Sequence, residues 1–223
     1  MLFFDIGANR GDATLAALPK GYDVIALEPA PRVYSTLIKN FIYNPRVTAL
    51  RYAVSDKDYE TVEFYECVED GLSTLNKDWL TKETMPYYGK AYRTTKATTI
   101  TIDTLVSKYG VPDLMKIDVE GGEWNVLRGM TKRYGKIALE WTFETFDEHD
   151  KQCNYMYELG YRRVAPQYIE NHLQEPQEWF DLMPNNQKQM LIWHQNTSDA
   201  WIEGGWKASG LRPTADAGML WFD

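Results

Sequence analysis

Apolar and polar positions along this chain alternate in blocks whose lengths suit strands and helices in turn. Short continuous apolar runs, typical of buried parallel strands, are separated by segments with apolar residues every three or four positions, as on one helix face. The predicted strands are residues 2–6, 24–27, 47–54, 98–102, 114–119 and 136–141, and residues 161–164 and 189–194 are expected to complete the sheet, including an antiparallel pair. The predicted helices are residues 12–18, a segment that begins at Pro31, and residues 103–108, 123–130 and 147–159. This alternation predicts an α/β fold with a mainly parallel sheet.

Three segments fit this alternation less well. Residues 61–65 alternate in polarity and predict an added hairpin or an edge strand. Residues 69–96 are polar, rich in Tyr and interrupted by Gly and Pro, so we interpret them as an active-site loop or lid inserted into the domain. The Gly-rich tail beyond residue 196 receives no assignment.

The composition is that of an ordinary globular domain. The chain has 223 residues, 44% of them hydrophobic and 25% charged, which suits one domain over residues 1–223. The net charge of −8 disfavours extended binding to nucleic acid, and no apolar run reaches the roughly 20 residues that span a bilayer. With two separated cysteines and no signal peptide, we expect a cytoplasmic protein, and its abrupt start suggests a domain excised from a longer multidomain protein.

Candidate chemistry begins in the first turn. The pattern Asp5-x-Gly7-x-x-x-Gly11 joins a predicted strand to a predicted helix, and Glu28 ends the next strand. An acid about 20 residues after such a turn can accept hydrogen bonds from the hydroxyls of a ribose. An acid before the first glycine disfavours a pyrophosphate and suits a ligand with an ammonium group, such as the amino-acid end of S-adenosylmethionine (SAM).

A second group of charged residues lies at the end of the strand predicted at residues 114–119. Lys116, Asp118 and Glu120 alternate, so their side chains lie on one face, and a Gly-Gly pair follows them. Ligands of open α/β sheets bind beyond the carboxyl ends of the strands. These three residues are therefore candidates for the reactive centre, although a purely structural ion-pair network is the alternative.

Taken together, these motifs resemble those of the FkbM-type SAM-dependent methyltransferases. The matching segments are residues 4–9, 26–29, 53–56, 73–75, 114–121, 123 and 127–129, and the most specific is Lys-Ile-Asp-Val-Glu-Gly at 116–121. The resemblance implies a Rossmann-like class I methyltransferase fold, with a mainly parallel seven-stranded sheet, an antiparallel edge strand and helices on both faces. It also implies SAM as the methyl donor and a hydroxyl acceptor on a sugar or natural product. The family often has a segment before the first strand, for which we expect no counterpart here, and residues after 141 follow no matching motif.

The resemblance also implies which residues bind the cofactor. The methionine end of SAM is expected at the first turn, the ribose at Glu28, and the adenine beside Ser55 and its two preceding residues. The whole expected set is Asp5, Gly7, Ala8, Asn9, Gly11, Glu28, Pro29, Ala53, Val54, Ser55 and Ser73.

A hydroxyl acceptor benefits from a base that takes its proton as it attacks the methyl group. Asp118 is the first candidate for this base or for a metal ligand, and the other candidate catalytic residues are Lys116, Glu120, Glu144, His149 and His194. Asp118 and Glu144 would be the oxygen ligands of a divalent cation, but their spacing is not diagnostic of a metal site.

The acceptor is expected to be a sugar hydroxyl in a glycan or glycoconjugate, with glycan-building domains elsewhere in the full-length protein. Aromatic residues that could stack on a sugar ring are frequent in the last third, at Trp179, Phe180, Trp193, Trp201 and Trp206. The alternatives are a hydroxyl of a polyketide or lipid-linked intermediate, an NAD(P)-dependent oxidoreductase, and a non-catalytic glycan-binding module. The missing GxGxxG pattern disfavours the oxidoreductase, and the intact 116–121 motif disfavours the non-catalytic module.

Overall fold

The computed structural model describes residues 1–69, 71–85, 87–142, 146–161 and 217–222. In chain order, the elements are β1 (Leu2–Ile6), α1 (Asp12–Ala17), β2 (Asp23–Leu27), α2 (Pro31–Phe41), β3 (Val47–Leu50), β4 (Ala53–Val54), β5 (Thr61–Cys67), α3 (Asp78–Thr81), β6 (Tyr92–Ile100), α4 (Ile102–Tyr109), β7 (Leu114–Ile117), α5 (Glu123–Arg128), β8 (Lys136–Thr142), α6 (Phe146–Glu158) and β9 (Ala217–Phe222). A short 3-10 helix at Leu18–Lys20 follows α1.

The main sheet has the strand order β3-β2-β1-β7-β8-β9. The first five strands are parallel, and β9 pairs antiparallel with β8. Successive residues of β1, such as Phe3 and Phe4, are both buried, as expected for a strand covered on both faces. The predicted α/β architecture with an antiparallel edge strand is confirmed, with six rather than seven strands in this sheet among the described residues.

A second sheet of three strands has the order β4-β6-β5. The prediction of one strand over residues 47–54 is therefore wrong, because β3 pairs with β2 whereas β4 pairs with β6. The chain leaves the main sheet at residues 51–52, where Arg51 is exposed between two apolar stretches. Residues 61–65 do belong to a strand, β5, which pairs antiparallel with β6.

The segment predicted as a loop over residues 69–96 is partly regular. It contains α3, and its last residues, 92–96, begin the nine-residue strand β6. The polar first half of β6 hid this strand, because most of that half is exposed and the buried residues lie in the second half.

The far end of the chain also differs from the prediction. The unassigned tail supplies β9, which pairs with β8 from Ile137 to Thr142. The strand predicted at 189–194, and all but the first residue of that predicted at 161–164, lie outside the described residues. None of the helices that the structure describes is long and apolar enough to cross a membrane.

Parallel pairing places the carboxyl ends of β2, β1, β7 and β8 side by side at one edge of the main sheet. Asp5 of β1 lies opposite Ala26 and Lys116, and Lys116 lies opposite Ala138. The carboxyl ends of four segments that are distant in sequence therefore lie together at this edge, where the candidate residues lie.

Candidate functional site

A cavity of about 220 Å³ opens at this edge of the sheet, between the first turn and the end of β7. Most of the residues predicted as site residues contribute to its wall. They are Gly7, Ala8, Asn9, Glu28, Pro29, Ala53, Val54, Ser73, Lys116, Asp118 and Glu120. Asp5, Gly11 and Ser55 are buried but do not line the cavity.

The first turn folds back onto β2 and β7. Its backbone N–H groups at Gly7 and Ala8 donate to the carbonyl oxygen of Leu27, at 3.1 and 2.8 Å. Gly7 has φ +75°, and a Cβ atom at this position would overlap the carbonyl oxygen of Asp118. The glycine therefore allows the ends of β1 and β7 to approach each other.

Gly11 has a different role from Gly7. It precedes α1 with φ +94°, and a Cβ atom there would overlap the ring of Phe41. Gly11 thus allows α1 to pack against α2, and this packing sets the position of the turn without direct contact with the cavity.

Asp5 lies beneath the turn and is completely buried. Thr14 Oγ1 donates to its Oδ2 atom at 2.6 Å, while Lys116 Nζ lies 3.8 Å from its Oδ1 atom. Burial raises the pKa of Asp5. Within the described residues, Asp5 Oδ1 and Asn9 Oδ1 are buried acceptors without a hydrogen-bond partner. Such atoms favour a ligand that brings a donor group.

Glu28 is fixed by two backbone hydrogen bonds. The N–H of Asn9 donates to Oε2 at 3.0 Å, and the N–H of Ala30 donates to Oε1 at 2.8 Å. Each carboxylate oxygen can accept a second hydrogen bond, so Glu28 can also bind ligand hydroxyls. Burial raises the pKa of Glu28 to about 7, against the lowering effect of these two bonds.

Lys116 connects the first turn to the end of β7. Its Nζ atom donates to the carbonyl oxygen of Gly7 at 3.0 Å and lies 3.1 Å from Oδ2 of Asp118. Burial acts to lower the pKa of Lys116, but the carboxylates of Asp118 and Asp5 outweigh it and raise the pKa above its ordinary value. Lys116 is therefore a permanent cation in this site.

Three carboxylates converge beside Lys116, and we call Asp118, Glu120 and Glu140 the acidic cluster. One oxygen of each lies within 4.8 Å of the others. Burial, followed by the charge of Asp118, raises the pKa values of Glu120 and Glu140 well above the ordinary range. Glu140 Oε2 is a further buried acceptor without a partner among the described residues.

Sequence reasoning missed Glu140, although an acid inside the apolar run of β8 is an available signal. In the part of the chain that the structure describes, the side chains that could share a divalent cation are those of the acidic cluster. Of the predicted pair for such a cation, Asp118 belongs to the cluster and Glu144 lies outside the described residues. His194 also lies outside them, and His149 is in α6, where its side chain is not described.

Part of the cavity wall comes from residues that no sequence motif marked as site residues. Val33, Phe64 and Leu75 form apolar surface from α2, β5 and the segment after it. Val33 and Phe64 belong to one buried apolar cluster with Ala53, and Leu75 packs against it. Ser55 lies outside the wall, where its N–H donates to the carbonyl of Ile100.

The parallel sheet, the glycine turn and the acid after β2 together form a Rossmann-like nucleotide site, which is the kind of site that class I methyltransferases have. A family model described as "Methyltransferase FkbM domain" matches residues 5–163. The chain therefore belongs to the FkbM methyltransferase family, and its methyl donor is SAM. The buried acceptors Asp5 Oδ1 and Asn9 Oδ1, together with Glu28, suit the donor groups of this cofactor.

Solved structures are similar to this chain at low sequence identity and with TM-scores below 0.5. A precorrin-6y C5,15-methyltransferase from Geobacter metallireducens has 16% identity and a TM-score of 0.39, over 73% of this chain and 64% of that one. A precorrin 8w decarboxylase from Methanobacterium thermoautotrophicum has 14% identity and a TM-score of 0.40, and the match again covers 73% of this chain and 64% of that one. This chain thus spans less than two thirds of either protein. No curated protein shows significant sequence similarity to it.

Proposed function

We propose that this domain transfers the methyl group of SAM to a hydroxyl group of a sugar, within a glycan or glycoconjugate. The observation that carries the proposal is that Asp118 and Glu120 of the acidic cluster line the same cavity as Gly7, Asn9 and Glu28. A hydroxyl group becomes a better nucleophile as it loses its proton, and a positioned carboxylate can accept that proton.

We assign the cofactor to the cavity by the chemistry of the wall. Asn9 lines the cavity and supplies an acceptor without a hydrogen-bond partner for an ammonium group, and Asp5 adds a second such acceptor from beneath the wall. Glu28 supplies acceptors for the two ribose hydroxyls. The apolar wall of Val33, Phe64 and Leu75 suits the adenine ring, beside the predicted residues Ala53 and Val54. When bound, SAM supplies a methyl group on a sulfonium, whose positive charge is lost on transfer.

The residues at the end of β7 handle the acceptor and its proton. Asp118 is the proposed base, because its carboxylate lines the cavity and retains a side-chain exposure of 15%. Lys116 Nζ lies 3.1 Å from Oδ2 of this carboxylate and holds it in position. Alignment of the hydroxyl with the methyl group supplies a further large part of the acceleration, about 7–11 kcal/mol in favourable cases.

The sugar acceptor rests on the tendency of the family and on the aromatic residues between 179 and 206, which lie outside the described residues. A hydroxyl of a polyketide or lipid-linked intermediate is the second candidate, since the same base would serve it. The acidic cluster also offers the oxygen ligands that Mg²⁺ prefers.

The test incubates a panel of glycans and polyketide alcohols with the protein and SAM that carries a deuterated methyl group. Mass spectrometry then locates the label. We expect label on a sugar oxygen with the wild-type protein and none with Asp118→Asn, although that variant still binds S-adenosylhomocysteine (SAH). Label only on polyketide alcohols would reject the sugar acceptor, and label on nitrogen would reject the hydroxyl.

The same assay, run after chelation and after return of Mg²⁺, tests the cation. If chelation abolishes labelling and Mg²⁺ restores it, the acidic cluster acts with a cation. If labelling is unchanged, its carboxylates act alone.

A further inference from the structure

Trp79 is completely buried although it lies on the four-residue helix α3, within the segment predicted as a loop. Its indole packs against the turn that follows β7. A Cβ atom at Gly121 would lie 2.8 Å from the indole ring, so the ring occupies the space that this glycine leaves. On another side the ring contacts Tyr87 edge-on, with 5.8 Å between the centroids.

The polar edge of Trp79 meets the acidic cluster. Its Nε1 atom lies 3.4 Å from Oε2 of Glu120 and donates a hydrogen bond to it. Glu120 lines the cavity, whereas Trp79 does not. Any effect of Trp79 on a ligand in the cavity must therefore act through Glu120 or through the backbone of this turn.

The backbone of the turn is held from the same segment. Glu120 has φ +58°, a left-handed conformation that is uncommon for residues other than glycine. Thr74 Oγ1 donates to its carbonyl oxygen at 2.7 Å, and Asn76 Nδ2 donates to the carbonyl of Gly121 at 3.4 Å. Side chain and backbone of Glu120 are thus both fixed by residues 74–79.

The charge of the cluster gives this arrangement a consequence for the ligand. Asp118, Glu120 and Glu140 converge within 4.8 Å of one another beside Lys116, and burial together with the charge of Asp118 raises the pKa values of Glu120 and Glu140. A positive charge on a ligand at this end of the cavity favours the ionised form of Glu120, so a cationic ligand gains an attraction here that a neutral ligand of the same shape does not. SAM carries a positive charge on sulfur, and its product SAH does not. The two molecules otherwise present the same groups to the wall.

We propose that Trp79 is a positioning residue: it holds the carboxylate of Glu120 at the cavity, and this carboxylate makes the site prefer SAM over SAH. The inference rests on the SAM site proposed above and assigns a specific role to the inserted segment. The preference would favour exchange of the product for a new cofactor after each transfer.

The test measures the ratio of the dissociation constants of SAH and SAM by calorimetry. Glu120→Gln removes the ionisable group and keeps the shape, whereas Trp79→Phe keeps an aromatic ring and removes the N–H donor. We expect Glu120→Gln to lower the ratio by up to about fivefold, the effect of one charge pair about 4 Å apart in water, and Trp79→Phe to lower it by a smaller factor, because the carboxylate remains but is no longer held. The double variant should show no decrease beyond that of Glu120→Gln, because both changes act on the same interaction.

Trp124→Phe is the matched control. Trp124 lies in α5 against Tyr155 and Lys151, outside the cavity wall, and its substitution should leave the ratio unchanged. Equal weakening of SAM and SAH by Trp79→Phe would show a merely structural role and overturn the inference. A further decrease in the double variant would also overturn it.

A spectroscopic measurement covers the case in which Trp79→Phe does not fold. In a ¹⁵N–¹H spectrum, Glu120→Gln should shift the indole N–H signal of Trp79 and leave that of Trp124 in place. An unchanged Trp79 signal would contradict the hydrogen bond. If the wild-type protein binds neither SAM nor SAH, the proposed function itself fails, which is a different result from an unchanged ratio.

Discussion

Lys116 Nζ lies 3.0 Å from the carbonyl oxygen of Gly7 and so joins the end of β7 to the first turn. The same nitrogen lies 3.1 Å from Asp118, the proposed base. One side chain therefore connects the part of the cavity assigned to the cofactor with the part assigned to the acceptor. Its removal should affect both parts.

We predict that Lys116→Met lowers the free energy of unfolding and weakens SAH binding. The substitution leaves the carboxylates of Asp5 and Asp118 without their cation, and the loss of one partner of a buried ion pair costs about 3–5 kcal/mol. Because Lys116 retains 16% exposure, we expect a value near the lower end. Urea unfolding gives this free energy.

The double variant Lys116→Met, Asp118→Asn is the control for this interpretation. It removes an uncompensated charge and should recover part of the lost stability. If the double variant is as unstable as the sum of the two single variants, the ion pair is not the cause.

Gly7→Ala should abolish cofactor binding and destabilise the fold by well over the 1–2 kcal/mol that a left-handed alanine costs. The added methyl group would overlap the carbonyl oxygen of Asp118. Gly89→Ala is a matched control, because Gly89 has φ +77° and no atom within 4 Å of its Cβ position. Similar losses in the two variants, measured by urea unfolding and SAH titration, would show that backbone strain alone is responsible.

The stability of the ligand-free protein should decrease as the pH rises from about 4.5 to about 7. Burial raises the pKa values of Glu28 and Glu123 from 4.5 to about 7, so the folded state binds protons more tightly than the unfolded state in this range. Their stabilising contribution is complete below pH 4.5 and is lost as the pH passes 7. Each group accounts for about 3 kcal/mol.

The measurement is urea unfolding at pH 5 and at pH 7.5. Glu123→Gln should reduce the difference between the two pH values by about 2 kcal/mol, since it removes one of the titrating groups and part of its titration lies below pH 5. Asp23→Asn, at an exposed ion pair with Arg46, serves as the control and should leave the difference unchanged. If Glu123→Gln shows the same difference in unfolding free energy between the two pH values as the wild type, the shifted pKa of Glu123 is contradicted.

The sequence allowed the cavity to be located because its main motifs are local. Gly7 and Asn9 lie in one turn, and Lys116, Asp118 and Glu120 follow one another on a strand and its turn. Their chemistry is visible without knowledge of the fold, and the rule that ligands bind at strand carboxyl ends brings the two groups together.

The residues that the sequence did not reveal are placed by contacts between distant segments. Glu140 joins the acidic cluster only because β8 lies beside β7, and Trp79 reaches Glu120 only because residues 74–79 fold over the turn. Phe64 lines the cavity only because β5 belongs to a second sheet. No local pattern encodes these placements, and the polar face of β6 concealed the sheet that causes the last of them.

The central claim is that the edge formed by β1, β2 and β7 binds the SAM nucleoside, while Asp118 serves the transfer. The most direct measurement is calorimetric titration of SAH into the wild-type protein, Asp5→Ala, Glu28→Ala and Asp118→Ala. We predict one binding site in the wild type and in Asp118→Ala. In the two cofactor variants, affinity should decrease by about tenfold or more, because each loses hydrogen bonds to a charged group. No binding by the wild type at millimolar SAH, or an equal loss in all three variants, would contradict the account.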